Sequence, residues 1–213
     1  MMNILIIGAS GMAGQAIFHE AIARGHKVIG LVRDEAKGKA VLGQQASLIA
    51  ADAFTLNKEI LSHYDVVVNA FSAVPDKAYL HVDLAARLVS ELRDTTAPRL
   101  FFILGAGSLL DAQDKPFVET LKTLPSAASW IGIPVNQARE LKFLREVDNV
   151  NWVGISPSAE FAPGAKHAPV LGKDHLLTAS DGRSHVSNAT LAAAVLDEIE
   201  TPSVFRSRFT VSD

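Results

Sequence analysis

The chain has 213 residues, 48% of them hydrophobic and 20% charged, with a formal net charge of −3. That balance is too apolar for a disordered chain, and its slightly acidic sign argues against nucleic acid as a partner. Cysteine is absent, which excludes disulfide frameworks, thiolate nucleophiles and cysteine-bound metals, and no apolar run approaches the roughly 18 residues of a membrane span.

Asn3–Gly8 (NILIIG) is a short continuous apolar run, the pattern of a strand covered on both faces. No basic segment precedes it and no long apolar stretch follows, so a secretory signal is not expected; the chain is expected to be soluble and cytoplasmic. Met12–Arg24 follows with Met12, Ala16, Ile17 and Ala21 at helical spacing, and Gly25 falls where a left-handed helix stop belongs. Lys27–Val32 reads as a second strand, Ser47–Ala51 as a third and Asp65–Asn69, with its three valines, as a fourth. Lys77–Asp94 predicts a long helix, because Leu80, Leu84, Leu88 and Leu92 recur every four residues and form a core stripe. Arg99–Leu104 is a fifth strand. Strands alternating with helices in this way predict an α/β fold with right-handed crossovers: a doubly wound parallel sheet with helices on both faces.

The rhythm loosens after Leu104. Gly105–Ser129 shows no period; Pro134–Arg145 predicts a helix and Trp152–Ile155 a sixth strand. Pro163–Ser184 reads as loops or a small hairpin, Asn188–Glu200 as a terminal helix capped by Asn188, and Phe205–Val211 as a last edge strand. With no repeat or linker, residues 1–213 read as a single domain whose irregular part, from about residue 105, supplies a substrate pocket.

The strongest local signal is GASGMAG, with Gly8, Gly11 and Gly14 three apart, directly after the first strand and opening the first helix. Gly8 permits a tight turn, Gly11 lets backbone approach a pyrophosphate, and Gly14 lets the helix pack closely on the sheet. The helix N-terminus offers unpaired N–H groups and a partial positive charge, and Ser10 adds a hydroxyl. Gly8, Ser10 and Gly11, with Met12 and Ala13, are the expected pyrophosphate cradle of an NAD(P)-binding Rossmann fold.

This GxxGxxG spacing after an N-terminal strand resembles the extended and atypical short-chain dehydrogenases/reductases. RGHKVIGLVR (residues 24–33), AD (51–52) and DVVVNAFSA (65–73) continue that resemblance. RLFFILGAGSL (99–109), WVGISPSAEFAPG (152–164) and RFTVSD (208–213) are similar to the small NADH–flavin reductase-like proteins related to biliverdin-IXβ reductase and the NmrA-like redox sensors. The resemblance implies a nicotinamide cofactor, and a flavin or similar planar molecule as hydride acceptor. It implies Asp52 and Ala53 beside the adenine and Asn69, Ala70 and Phe71 along the cofactor. A serine past the fifth strand, here Ser108, would face substrate or nicotinamide. Pro157 and Phe161, just past the sixth strand, would line the nicotinamide and acceptor pocket.

Arg33 ends the second strand, where NAD-selective relatives carry an acid for the ribose hydroxyls. A guanidinium there suits a 2′-phosphate, so NADP(H) is expected over NAD(H); the alternatives are a solvated arginine, or Asp34 turning to the ribose instead. Asp52 is nearly as readable as a turn or cap residue. The tyrosine four residues before a lysine, usual in the alcohol and sugar enzymes, is missing: Tyr64 is followed at that spacing by Val68 and Tyr79 by Asp83. This disfavours carbonyl reduction and sugar epimerisation. It fits a flavin-type reductase drawing its proton from solvent, and equally a non-catalytic NADP(H)-binding sensor. The seven histidines show no metal-ligand spacing, so no metal is assigned; His26 and His81 read as structural, and His167, His175 and His185 as solvated loop residues. The expected partner is a small planar acceptor, and the expected state a monomer or homodimer, away from nucleic acid and membrane.

Overall fold

The computed structural model describes residues 1–213. Its first half runs β1 (Asn3–Ile7), α1 (Met12–Ala23), β2 (Lys27–Val32), α2 (Glu35–Leu42), β3 (Leu48–Ala50), α3 (Lys58–Leu61), β4 (Val66–Asn69), α4 (Leu80–Leu92) and β5 (Thr95–Ile103). The second half runs α5 (Phe117–Lys122), α6 (Gly132–Arg145), β6 (Val150–Pro157), β7 (Glu160–Ala162), β8 (Val170–Gly172), β9 (His185–Ser187), α7 (Asn188–Glu200) and β10 (Ser207–Ser212).

Eight strands form one sheet in the order β3-β2-β1-β4-β5-β6-β10-β8, every pairing parallel except β10 with β8. This is the predicted doubly wound α/β fold. The pleat of β1 divides its side chains between two cores. Ile4 and Ile6 join Ile17, Phe18, Val68, Phe101 and Leu191 beneath α1 and α7. Leu5 and Ile7 join Val67, Leu84, Leu88, Phe102 and Trp152 beneath α4 and α6. Burial on both faces is why β1 and β4 read as unbroken apolar runs, and each such large side chain contributes roughly 1.5–3 kcal/mol. No helix is long and apolar enough to cross a membrane.

Several expectations are corrected. The last strand is not at the edge: β10 lies between β6 and β8, because three residues of the irregular segment pair antiparallel with it. That segment forms no hairpin of its own, and β7 and β9 instead make a separate parallel pair. Helix α7 is capped by Ser187, whose Oγ accepts from the Thr190 amide at 3.0 Å, so Asn188 is its first residue rather than its cap. The helix expected from Lys77 begins at Leu80 after a 3-10 turn over Pro75–Lys77, while Leu84, Leu88 and Leu92 are buried as the stripe requires. Met12, counted with the apolar face of α1, is 38% exposed; Ala13, Ile17, Phe18 and Ala21 are buried instead.

Candidate cofactor site

The chain leaves β1 through Gly8 at φ +72°, a left-handed conformation, and a Cβ there would lie 2.6 Å from the Ala70 carbonyl oxygen. Gly11 is the N-cap residue of α1, its amide donating to the Gly8 carbonyl at 2.9 Å. No side chain caps this helix, and its first turn holds no acid. The first-turn amides, including those of Met12 and Ala13, therefore have no intrahelical acceptor and sit at the positive pole of the helix. A Cβ on Gly14 would stand 2.3 Å from the Gly8 carbonyl oxygen, so only glycine lets α1 come this close to the turn. Such a cradle, free of side chains and rich in unpaired donors, fits a pyrophosphate.

A cavity of about 220 Å³ opens beside the cradle at the C-terminal ends of β1, β2 and β4. Sheet order reverses between β1 and β4, the switch point where open α/β sheets take ligands. Gly8, Ser10 and Gly11 line it from the turn, Arg33 from the end of β2, Asp52 and Ala53 from the loop after β3, and Ala70 and Phe71 from the loop after β4. Lys37 of α2 and Ser72 also line it, and the sequence reading missed both. Lys37 is placed by α2, a helix with almost no apolar period to announce it. Arg33 and Lys37 have no carboxylate partner, although the neighbouring Lys39 pairs with Glu35 at 2.7 Å. Asp52 accepts from the Phe54 amide at 3.0 Å and so serves as a turn cap at the cavity wall.

Asn69 is buried and does not line the cavity; its Oδ1 accepts from the Phe71 amide at 3.2 Å and shapes the turn that carries Phe71. Phe71 meets Phe54 and His81 edge-on, with ring centroids 6.3 and 5.6 Å apart. His81 is fully enclosed and faces Glu140 of α6, Nδ1 to Oε2 3.7 Å. Burial lowers the His81 pKa to about 4 and raises that of Glu140 well above the usual carboxylate range. Nothing in the sequence marked Glu140, which looks like an ordinary surface acid of α6.

Ser108, Pro157 and Phe161 lie across β1 from Arg33, on the β5–β6 side, and outside the cavity wall. Ser108 ends a 3-10 turn just past β5. Its hydroxyl accepts from Arg208 Nη1 at 3.2 Å and donates to the Gly105 carbonyl at 3.3 Å. Pro157 is the buried last residue of β6, beside Val211, and Phe161 of β7 packs half-buried against the α1–α7 core. Among the histidines, His26 joins Glu200 at 2.9 Å, His175 joins Asp114 at 2.8 Å, and His185 lies between Asp181 and Asp213.

A doubly wound sheet with an open glycine cradle at its switch point defines a dinucleotide-binding protein of the Rossmann type. The chain belongs to the NAD(P)H-binding family, whose model matches residues 8–202. It is 39% identical to YwnB of Bacillus subtilis over 99% of this chain and 98% of that one. A solved protein from Lactobacillus casei superposes with a TM-score of 0.92 at 38% identity, covering 100% of this chain and 99% of that one. Another, from Streptococcus pneumoniae and named for a proposed NADH-flavin reductase activity, superposes at 0.88 with 32% identity and full coverage of both chains. The expected kinship with atypical short-chain dehydrogenase/reductase-type proteins is thus upheld.

Proposed function

We propose that the protein is an NAD(P)H-dependent reductase that takes NADP(H) in preference to NAD(H) and delivers hydride to a flavin or similar planar acceptor. The observation carrying this reading is the open glycine cradle with two unpaired cations, Arg33 and Lys37, on its adenosine side. When bound, the dihydronicotinamide supplies the hydride. First-turn amides of α1 and the Ser10 hydroxyl hold the pyrophosphate. The Arg33 fork and the Lys37 charge hold a 2′-phosphate. Ala70 and Phe71, on the turn fixed by Asn69, flank the ribose side, and Ser108, Pro157 and Phe161 stand towards the acceptor. With tyrosine only at positions 64 and 79, no side chain supplies the usual proton relay, so the proton comes from water.

The name of the Streptococcus relative gives NADH as donor; in this chain the preference rests on Arg33. Purified protein mixed with NADPH and FMN, FAD or biliverdin should oxidise the nicotinamide faster than a protein-free control, followed at its absorbance band. NADPH that binds but is oxidised with none of these acceptors would replace this reading with a redox sensor that holds the dinucleotide without turning it over.

A further inference from the structure

Arg208 lies on β10, a sheet-interior strand, and only 4% of its surface is exposed. It stands opposite Gly154 of β6. A Cβ on Gly154 would stand 2.7 Å from Leu104 Cδ1 and in ordinary contact, 3.4 Å, with the Arg208 Cβ and Cγ, so the arginine stem packs directly over the glycine. The guanidinium ends beneath the turn after β5. Nη1 donates to Ser156 Oγ at 3.0 Å and to Ser108 Oγ at 3.2 Å, while Nη2 donates to Asp174. Asp174 also accepts from Arg145 at 2.7 Å, so one carboxylate is shared between two guanidiniums.

Packing alone does not call for this arrangement. Burying a guanidinium is costly, a hydrophobe of like volume often stabilises as well, and the Arg208 Nε is left buried without any partner. Of the groups in the network, Ser108 stands on the turn just past β5, the side that the reductase reading gives to the acceptor. Its hydroxyl accepts from a cation, which strengthens it as a donor. Its own hydrogen meets only the Gly105 carbonyl at 3.3 Å, a long contact that it can exchange for a better one.

We propose that Arg208 is a positioning cation that polarises Ser108 towards the acceptor, favouring planar acceptors whose carbonyl or ring nitrogen becomes anionic on reduction. This rests on the reductase reading above. The acceptor gains a hydride and with it one negative charge; Ser108 donates a hydrogen bond to that charge without losing its proton. Arg208 stays protonated throughout, and the neutralising proton comes from water.

The test compares wild type with Ser108→Ala, Arg208→Met, Arg208→Lys and the Ser108→Ala/Arg208→Met double variant. Affinities for oxidised and for anaerobically reduced FMN are measured without nicotinamide, alongside NADPH affinity and turnover. Wild type should prefer reduced FMN. Ser108→Ala and Arg208→Met should each cut that preference about tenfold, as for loss of one charge-assisted hydrogen bond, and lower turnover by about tenfold or more. The double variant should lose no more than either single one, and NADPH affinity should stay within about threefold. Arg208→Lys, which keeps the charge, should restore part of the preference and guards against an Arg208→Met protein that does not fold. Multiplicative losses in the double variant, or a Ser108→Ala protein with unchanged preference for reduced FMN, would overturn the relay and leave the reductase reading intact. Wild type that binds neither form of FMN and oxidises NADPH with no acceptor would overturn both.

Discussion

The Asp34 carboxylate accepts a hydrogen bond from the Lys37 amide at 3.0 Å and closes the first turn of α2. This contact gives the acid that follows Arg33 a structural role. An acid directly after Arg33 could have turned to the ribose hydroxyls, as in NAD-selective proteins. Here the same acid caps the helix, and the cap sets Lys37 on the cavity wall with Arg33.

Arg33→Ala should therefore weaken NADPH and leave NADH almost untouched. Charge-assisted contacts of this kind are worth about 1.5–3 kcal/mol, or about 10- to 150-fold in affinity. Lys37→Ala should cost less, about three- to tenfold, because a solvated ammonium on a flexible stem acts as a screened point charge. Paired titrations of both cofactors against each variant measure this. Equal wild-type affinity for NADH and NADPH would show that neither side chain reads the phosphate.

Gly14→Ala should damage cofactor binding through space alone, since Gly14 has no positive φ and the added Cβ would stand 2.3 Å from the Gly8 carbonyl oxygen. Helix α1 has to retreat from the turn, pulling its amides off the pyrophosphate. Both cofactors should weaken alike, by about tenfold or more, with a stability loss of about 1–3 kcal/mol. Gly25→Ala is the control: its φ of +82° lies in open space, so it should cost about 1 kcal/mol and leave titrations unchanged. Cofactor affinity that survives Gly14→Ala would mean that the cradle is not the pyrophosphate site.

What the sequence disclosed follows from how each feature is built. β1, β4 and the glycine turn are contiguous and buried, so apolar runs and spacing carry their whole signal. Helix α2 is mostly solvated, with its apolar residues gathered at Val41 and Leu42, so periodicity passed over it and Lys37 was missed with it. The pairing of β8 with β10 joins residues about forty apart through three-residue contacts, which no local pattern encodes. Arg208 and Glu140 were unreadable for another reason. Charged residues in a sequence look solvated, and only the packing of β10 and α6 shows them enclosed.

Arg99 of β5 and Glu198 of α7 form a buried ion pair, with side chains 8% and 7% exposed. Arg99 also donates to the Glu198 carbonyl at 2.8 Å and to the Val204 carbonyl, and Glu198 accepts from the Ser203 and Val204 amides. Removing one charge of such a pair typically costs about 3–5 kcal/mol. Arg99→Met should fall at the lower end, because Glu198 keeps its amide donors. Denaturant midpoints measure it, and a loss below about 1 kcal/mol would show that the pair adds little to holding α7 on the sheet. Cofactor affinity should not change, since neither residue lines the cavity.

The His81–Glu140 pair makes stability depend on pH in two windows of opposite sign. The two side chains are each 2% exposed, their nearest polar atoms are 3.7 Å apart, and His81 Nε2 and Glu140 Oε2 have no hydrogen-bond partner. At that separation burial outweighs attraction, and in the fold each group is pushed towards its neutral form. An unfolded Glu140 ionises above about 4.5 while the folded one keeps its proton. The folded state then binds more protons, and stability falls as pH rises from there, by about 1.4 kcal/mol per unit until the folded group titrates. His81 does the reverse: unfolded it takes a proton below 6.5, folded only near 4, so stability falls as pH drops between those values. Where the windows overlap, between 4.5 and 6.5, the two slopes oppose each other. Glu140→Gln removes the first and keeps the second. The variant should match wild type near pH 4.5 and gain on it as pH is raised to 7 and 9, up to the pH at which the folded Glu140 titrates. Urea midpoints at these three pH values, with m unchanged, give the comparison. A gain that does not grow with pH would mean that Glu140 is ionised in the fold and paired with a protonated His81.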